Sequence, residues 1–341
     1  MQQSVKFGRH MVGAGHPTFI ISEVGATHAG SIDLAEKLVG AAAEAGAQAV
    51  KLQTVSPDYS YCEGTLSHQI FQTLQLSGEE MARLKRCAED HGLILFTTPG
   101  DFPSLELAIR LDFEIMKVSS GLMTNKPLVE AVARTGKPMI ISSGMAYMDE
   151  IARSVRFAQA AGAEQLAVLH CTSCYPCPDS IVNLKAIPNM AAALNVPVGF
   201  SDHTADELAC STAVALGAAI LEKHMALSHE LAGPEQGTAC DPAQFAAMVK
   251  AVRRVERLLG TGIKMPAQEE QQGRLLHRRS VISVRAIPAG KLIDKNDISV
   301  MRGTLAHVGA SPELYEEFLG RVALRDIGKN EPMRTGMVSE A

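Results

Sequence analysis

The sequence has no excess of basic residues and no long apolar run. Its 32 lysines and arginines are outnumbered by 37 acidic residues, which gives a formal net charge of -5 at pH 7. This balance argues against a nucleic-acid-binding surface, which requires clustered positive charge. No stretch approaches the roughly 18 apolar residues of a membrane span, and the N-terminal residues lack the apolar segment of a signal peptide. We therefore expect a cytoplasmic protein that acts on small molecules.

The cysteines do not suggest a disulfide framework. There are seven of them, an odd number, in a chain of 341 residues that can build a large core without covalent cross-links. Cys171, Cys174 and Cys177 lie in the segment HCTSCYPCP, a spacing that resembles part of an iron–sulfur or zinc motif. No further cysteine or histidine follows just downstream at ligand spacing, so this run lacks a complete set of metal ligands.

Short apolar segments rich in β-branched residues alternate with segments of helical periodicity. The predicted strands are residues 18–24, 49–54, 93–99, 114–120, 138–144, 166–172, 196–201 and 218–224. The clearest predicted helices are residues 31–46, 77–92, 148–162 and 241–260, and each ends at a glycine or just before the next strand. This alternation over about 250 residues predicts the α/β class with a (β/α)8 TIM barrel.

The pattern changes after the last predicted helix. Residues 263–279 are polar and have no clear period, so we interpret them as a linker with some local helix. Residues 280–341 contain short β-like pieces between glycines and prolines, and VRAIPAGKLIDKNDI is faintly repeated as LRDIGKNEPMRTGMV. The predicted organisation is a barrel at 1–262, a linker at 263–279 and a small β-rich domain at 280–341.

Polar residues occur at the C-terminal end of every predicted strand, the face where TIM-barrel enzymes place their active sites. They are Glu23, Lys51, Gln53, Thr98, Lys117, Ser120, Ser142, Ser143, His170, Thr172, Ser201, Asp202, His203, Glu222 and His224. Residues two apart on a strand share a face, so Lys51 lies beside Gln53, and Ser201 beside His203. Two lysines with nearby hydroxyl groups and Gly144 indicate a site for a phosphate and a carboxylate.

Two histidines close the seventh and eighth predicted strands. His203 and His224 would leave most coordination positions of a divalent metal open to other ligands. The alternative interpretation is one hydrogen-bonding histidine and one core histidine.

Taken together, these motifs resemble the sialic acid synthase family. The segments EVGATHAG, VKLQT, FTTP, KVSSG, ISSGM, HCTSCYP, GFSDHT and LEKH occur in this order. The resemblance extends over nearly the whole chain. It implies a TIM barrel followed by a C-terminal antifreeze-like (SAF, β-clip) domain, which in a domain-swapped homodimer would cap the partner's active site.

The resemblance implies an enzyme, a phosphoenolpyruvate-dependent nonulosonate synthase. Phosphoenolpyruvate (PEP) would condense with the open-chain aldehyde of an N-acyl hexosamine to give a nine-carbon 2-keto sugar acid and phosphate, with cleavage of the C–O bond. A divalent metal, Mn²⁺ or Mg²⁺, held by His203 and His224, would polarise the aldehyde.

The resemblance also implies roles for individual residues. Those expected to bind PEP are Lys51, Gln53, Thr98, Lys117, Ser120, Ser142, Gly144 and Ser201. Those expected to take part in catalysis are Glu23, Glu222, Lys51 and Lys117. Those expected at the sugar are Tyr175, Asp202, Glu235 and Arg302. Arg302 would reach the substrate of the partner subunit.

Four features depart from the family pattern, and all of them fall on the sugar side of the expected site. Leu122 replaces a frequent acidic residue, Thr27 replaces asparagine, Glu235 replaces aspartate, and RGTLAHVG replaces a proline–glycine turn. These departures indicate retained donor chemistry with an unusual acceptor or an altered rate.

Two alternative functions stay open at the level of the sequence. A TIM-barrel aldolase or lyase could form a Schiff base on Lys51 or Lys117. A non-catalytic sugar-binding homologue is the second alternative, and Leu122 is the residue that suggests it.

Overall fold

The chain forms two compact units, Met1–Gly260 and Thr261–Ala341. The computed structural model describes residues 4–228 and 239–340. Within these ranges, no helix combines the length and apolar character that crossing a membrane requires.

Eight parallel strands close into a barrel in the first unit. The chain begins with an antiparallel hairpin of β1 (Val5–Phe7) and β2 (His10–Val12). The barrel strands are β3 (Phe19–Gly25), β4 (Ala49–Thr54), β5 (Ile94–Pro99), β6 (Met116–Val118), β7 (Met139–Ser142), β8 (Leu166–Cys171), β9 (Val198–Asp202) and β10 (Ile220–His224). Each strand pairs with the next along the chain, and β10 closes against β3. The predicted TIM barrel is therefore confirmed.

Helices surround the strands. They are α1 (Ile32–Glu44), α2 (Pro57–Ser60), α3 (Leu66–Thr73), α4 (Gly78–Asp90), α5 (Phe102–Arg110), α6 (Lys126–Ala133), α7 (Met148–Ala160), α8 (Asp179–Val182), α9 (Ala186–Leu194), α10 (Leu208–Ala215) and α11 (Pro242–Leu259), with a short 3₁₀ turn at Ser120–Leu122. Side-chain caps explain where several helices begin. Ser77 and Glu80 form a capping box at α4, and Asp241 and Gln244 form another at α11.

Alternating side chains divide the barrel unit into two apolar cores. Residues that point outward, such as Val50 and Leu95, pack between the strands and the helices. Residues that point inward, such as Phe96, fill the N-terminal half of the barrel together with the hairpin. Phe7 of β1 meets Phe19 of β3 edge to face, with ring centroids 5.4 Å apart. The hairpin thus closes the N-terminal end, and polar inward-facing residues concentrate at the C-terminal end.

The second unit has a core of its own, formed by residues that include Val281, Phe318 and Met333. Its elements are α12 (Gln271–His277), β11 (Arg279–Ser283), β12 (Ile298–Arg302) and α13 (Tyr315–Phe318), with 3₁₀ turns at Gln268–Glu270, Leu305–His307, Pro312–Leu314 and Thr335–Met337. The strands β11 and β12 pair antiparallel. The segment interpreted as a linker therefore contains a 3₁₀ turn and helix α12.

The two copies of the faint repeat pair with each other in the second unit. Ile287 and Ile327, which are equivalent in the repeat, exchange two backbone hydrogen bonds of 2.8 Å each. Two further bridges follow the same symmetry. Ile282 pairs with Pro332, and the residues at the equivalent positions of the repeat, Val322 and Leu292, pair with each other. The repeat thus corresponds to an internal pseudo-twofold arrangement of short β segments.

Candidate active site

A polar cavity of about 460 Å³ opens at the C-terminal end of the barrel strands. Most of the site residues predicted from the sequence contribute to its wall. They are Glu23, Lys51, Gln53, Lys117, Ser120, Ser142, Tyr175, Ser201, His203, Glu222 and His224.

The alternation of side chains along each strand places these groups. On β3, Phe19 and Ile21 belong to the inner core, and Glu23 is the next residue on the same face. On β10, Ile220 belongs to the same core and is followed by Glu222. Each strand is therefore apolar where the barrel is filled and polar where the cavity begins.

Lys117 and Glu222 form a buried ion pair in the wall of the cavity. The Lys117 ammonium donates to both carboxylate oxygens of Glu222, at 2.9 and 2.8 Å, and Ser201 Oγ donates to the same carboxylate at 3.0 Å. Burial opposes ionisation of Glu222, but the charges of Lys117 and Lys51 outweigh it and lower its pKa to about 2. Burial lowers the pKa of Lys117, and the charge of Glu222 acts in the opposite direction.

Lys51 and Glu23 form a second buried ion pair in the same cavity. Lys51 Nζ also donates to Thr98 Oγ1 at 3.1 Å, and Gln53 Nε2 donates to Glu23 Oε1 at 3.2 Å. Burial raises the pKa of Glu23, while the charge of Lys51 acts to lower it. The cavity therefore contains two ammonium groups, each held next to a carboxylate.

Hydroxyl groups complete the wall near the fifth strand of the barrel. Ser142 Oγ is buried and makes no hydrogen bond within the described part of the chain. A buried hydroxyl of this kind is expected to meet a polar group of a ligand or a water molecule. Gly144 N donates to Ser120 Oγ at 2.9 Å. A Cβ atom at Gly144 would lie only 2.2 Å from Ser173 Oγ and 2.8 Å from Ser120 Oγ, so a larger residue here would displace these hydroxyl groups.

His203 and His224 lie side by side, with ring centroids 5.5 Å apart. His203 Nδ1 donates to the Thr172 carbonyl oxygen at 2.9 Å, which leaves the lone pair on Nε2. Burial, with a smaller effect from His224, lowers the pKa of His203 to about 4, so the ring is neutral near pH 7. The ring of Tyr175 lies 4.1 Å from that of His203. Neutral imidazoles with one nitrogen fixed by a carbonyl are typical metal ligands.

This donor set fits a divalent metal that takes only two ligands from the barrel. Within residues 4–228 and 239–340, no group of three or more His, Cys, Asp or Glu side chains is arranged to hold a metal. The remaining ligands would come from substrate or water, which is the arrangement that a substrate-activating metal requires.

The three clustered cysteines lie in different surroundings. Cys171 lines the cavity, whereas Cys177 is buried in the core between strands and helices. Cys174 Sγ donates to the Pro176 carbonyl oxygen at 3.5 Å. Within the described ranges of the chain, these three thiols are not arranged to hold a metal ion.

Two polar residues at strand ends face away from the cavity. Asp202 is buried on the helix side of β9, where Lys223 Nζ donates to its carboxylate at 2.6 Å. His170 Nε2 donates to the Val182 carbonyl oxygen at 2.7 Å. The position of Asp202 on the helix side gives no support to its predicted sugar-binding role, which stays a prediction. Ser201 and His203 both face the cavity. Asp202 lies between them on the strand and must therefore face outward.

The other predicted residues are Thr98, Glu235 and Arg302. Thr98 lines an adjoining pocket together with Leu122. Glu235 lies outside the described residues. Arg302 ends β12 in the second unit, where its Nε donates to the Leu276 carbonyl oxygen at 3.1 Å and its guanidinium contacts His277. Its action on a partner's substrate stays a prediction.

The cavity wall also contains residues that the sequence did not point to. Ser119, Met145 and Ser173 are among them. Ser119 follows Lys117 by two residues, so alternation could have identified it. Met145 lies in a loop with a φ of 63°, a backbone conformation that the sequence pattern gives no reason to expect.

Comparison with known proteins identifies the family. Residues 38–264 match the NeuB family, and residues 278–339 match the SAF domain. The chain belongs to the NeuB family. This confirms the resemblance to sialic acid synthases and the antifreeze-like character of the second unit.

Individual relatives of this NeuB family member extend over most of its length. An uncharacterized protein of Methanocaldococcus jannaschii is 38% identical over 88% of this chain and 89% of its own. The N,N'-diacetyllegionaminic acid synthase of Legionella pneumophila is 34% identical over 90% of this chain and 91% of its own. The crystal structure of the N-acetylneuraminic acid synthetase of Leptospira borgpetersenii in complex with citrate superimposes with a TM-score of 0.77 at 31% identity. That superposition covers 80% of this chain and 95% of the synthetase.

Proposed function

We propose that this protein is a PEP-dependent nonulosonate synthase. It condenses PEP with the open-chain aldehyde of an N-acyl hexosamine and releases a nine-carbon 2-keto sugar acid and phosphate. The observation that carries the proposal is one cavity that holds two lysine–carboxylate pairs next to two neighbouring histidines. The names of the Legionella and Leptospira relatives, both synthases or synthetases of nonulosonic acids, support the same chemistry.

Binding of PEP is assigned to the ammonium groups and to the hydroxyl-rich wall. PEP carries a carboxylate and a phosphate, and Lys51 and Lys117 provide two positive charges that water screens little because both residues are buried. Ser142 Oγ has hydrogen-bonding capacity to offer a ligand. The hydroxyl groups of Ser120 and Ser173 both lie close to Gly144 in the cavity wall, where they can donate hydrogen bonds to an anion.

The metal, Mn²⁺ or Mg²⁺, is assigned to His203 and His224. When bound, it would supply Lewis-acid polarisation of the aldehyde oxygen. The chain itself orients the site, since the Thr172 carbonyl fixes the His203 ring and the Tyr175 ring packs against it with centroids 4.1 Å apart.

In the proposed reaction, carbon 3 of PEP forms a bond to the aldehyde carbon, and water adds at carbon 2. The C–O bond to phosphate then breaks, and the carbonyl group of the keto acid forms. Glu23 is placed to transfer a proton, because its carboxylate lies in the cavity and Lys51 and Gln53 orient it. Glu222 acts by holding Lys117 in place.

The assay that tests this proposal measures phosphate release from PEP with Mn²⁺ and a panel of N-acyl hexosamines. We expect activity that EDTA abolishes and Mn²⁺ restores, and that Lys117→Met eliminates. Lys250→Met, at an exposed position on α11, is the control and should retain activity. Folded protein that releases no phosphate with any acceptor would contradict the proposal.

The two alternatives have separate readouts. A Schiff-base aldolase would be trapped irreversibly by borohydride in the presence of a keto acid, with a mass increase on Lys51 or Lys117. A non-catalytic homologue would bind sugars in calorimetry without turnover. The proposal also includes a cytoplasmic location and a homodimer in which Arg302 of the partner subunit reaches the substrate.

A further inference from the structure

A second pocket of about 270 Å³ adjoins the catalytic cavity and shares part of its wall. Gln53, Ser119 and Gly121 line both spaces. A molecule bound in the cavity can therefore extend a substituent past these residues into the pocket. Because the pocket adjoins the cavity, it can receive a substituent of the sugar that reacts there.

No charged side chain of the described residues lines this second pocket. Several of its polar groups are already engaged within the protein. Ser60 Oγ donates to Asp101 at 2.7 Å, and Thr98 Oγ1 accepts from Lys51 at 3.1 Å. A charged substituent placed here would lose its water and gain no partner of opposite charge.

Three side chains give the pocket its apolar character: Val55, Leu122 and the ring of Tyr61. The Tyr61 ring stacks on Phe71 with centroids 5.4 Å apart. A Cβ atom at Gly100 would lie 2.9 Å from Val55 Cγ2, which shows how closely the backbone supports the Val55 side chain. The apolar wall is therefore held in place before any ligand binds.

We propose that the pocket formed by Val55, Tyr61 and Leu122 binds an uncharged apolar group of the acceptor sugar. Suitable groups are the methyl of a deoxygenated carbon or the alkyl part of an acyl substituent. This inference rests on the proposed synthase function and specifies its acceptor. A phosphate group of an acceptor does not enter this pocket, because no cationic side chain lines it. Each additional methylene buried here corresponds to about a fourfold gain in affinity.

The test compares kcat/KM for N-acetyl-, N-propanoyl- and N-butanoylmannosamine and for the 6-deoxy analogue of the first. We expect the wild-type chain to favour at least one more apolar acceptor over N-acetylmannosamine by about fourfold or more. Leu122→Asp should reverse that preference through the KM of the acceptor while the KM of PEP stays the same. Leu258→Asp, at an exposed position on α11, is the matched control and should keep the wild-type preference.

A second, uncharged substitution keeps the test valid if Leu122→Asp does not fold. Leu122→Ala enlarges the pocket and should shift the preference toward the longer acyl group. Equal kcat/KM for all four acceptors, or a preference that neither substitution at Leu122 changes, would overturn the inference.

A binding measurement separates this inference from the proposed function. The reduced alditols of the same four sugars cannot condense, and calorimetry in the presence of PEP measures their affinity directly. If the sugars fail to react but the alditols bind in the expected order, and Leu122→Asp reverses it, the pocket inference stands and the synthase proposal fails. Alditols that bind equally well overturn the pocket inference whether or not the sugars react.

Discussion

At the scale of single residues, the charges in the cavity depend on one another. Lys117 and Glu222 are both nearly inaccessible to solvent, and each satisfies the charge of the other. Such a pair contributes little net stability compared with a well-packed apolar pair, but removal of one partner leaves a buried charge without compensation.

This dependence leads to a stability prediction for Lys117. We expect Lys117→Met to lower the free energy of unfolding by about 3–5 kcal/mol, because Glu222 would stay buried without its partner. Urea unfolding monitored by circular dichroism measures the change. The double variant Lys117→Met, Glu222→Leu should recover most of the loss while staying inactive. A single variant as stable as the wild type would show that Glu222 does not depend on Lys117.

The side of the barrel wall on which a side chain lies could be predicted from the sequence only where the alternation along each strand was applied consistently. Alternation along β9 directs Ser201 and His203 into the cavity. It directs Asp202 to the helix side of the strand, where Lys223 neutralises its charge. The conflict between Asp202 as a sugar ligand and its neighbours as cavity residues was thus visible in the sequence. The contribution of Leu122 to the second pocket could not be predicted in this way, because that pocket is formed by segments that are distant in the sequence.

At the scale of elements, apolar periodicity located the barrel strands and the main helices. The fourth barrel strand was predicted too long, because the chain turns into a 3₁₀ segment at Ser120–Leu122 directly after β6. The N-terminal hairpin was missed, since strands of three residues are too short to show alternation. Its importance appears only in the structure, where it completes the inner core.

The hairpin leads to a prediction for Phe7, which is completely buried. Phe7→Ala removes the ring that packs on Phe19 and leaves a cavity at the closed end of the barrel. We expect the free energy of unfolding to fall by about 3–5 kcal/mol. Chemical denaturation provides the measurement, and Met11→Ala on the exposed side of β2 serves as the control. A loss below about 1 kcal/mol would mean that the hairpin does not belong to the cooperative core.

A polar contact cluster in the second unit gives a pH prediction. Asp297 is buried and accepts hydrogen bonds from Arg285 Nε at 2.7 Å and Asp294 N at 2.9 Å, with Lys291 in contact. Burial opposes its ionisation, but Lys291 and these donors outweigh burial and lower its pKa. A carboxyl whose pKa is lower in the folded state stabilises the fold above its unfolded pKa of about 3.9. That stabilisation is lost as the pH falls through the folded pKa.

Calorimetric unfolding between pH 3 and pH 7 tests this. Asp297→Asn should lower the unfolding temperature at pH 7, and the difference from the wild type should shrink as the pH falls below about 4. Glu316→Gln, at an exposed position in the same unit, should show no such convergence. A difference that stays constant across this range would contradict the role assigned to Asp297.

At the scale of the whole molecule, the chain contains two units with separate cores. The end of helical periodicity after α11 made this division visible in the sequence. A role for Arg302 in catalysis requires the second unit of one subunit to meet a barrel. The family resemblance implies that this is the barrel of the partner, and the proposal of a domain-swapped homodimer follows from it.

Mixing two inactive variants tests the swapped arrangement directly. His203→Asn disables the barrel site, and Arg302→Ala removes the arginine supplied by the second unit. If subunits re-associate at random, half of the dimers are mixed, and one site in each mixed dimer carries neither change. We therefore expect an equimolar mixture to regain about a quarter of the wild-type rate of phosphate release.

The matched control mixes His203→Asn with His224→Asn. Both changes lie in the barrel, so every site in every dimer carries one of them and no activity should return. If Arg302 acted on the barrel of its own chain, the first mixture would also show no more than the sum of its two components. Full activity of Arg302→Ala alone would remove this residue from the active site, and a monomeric active protein would remove the partner as well.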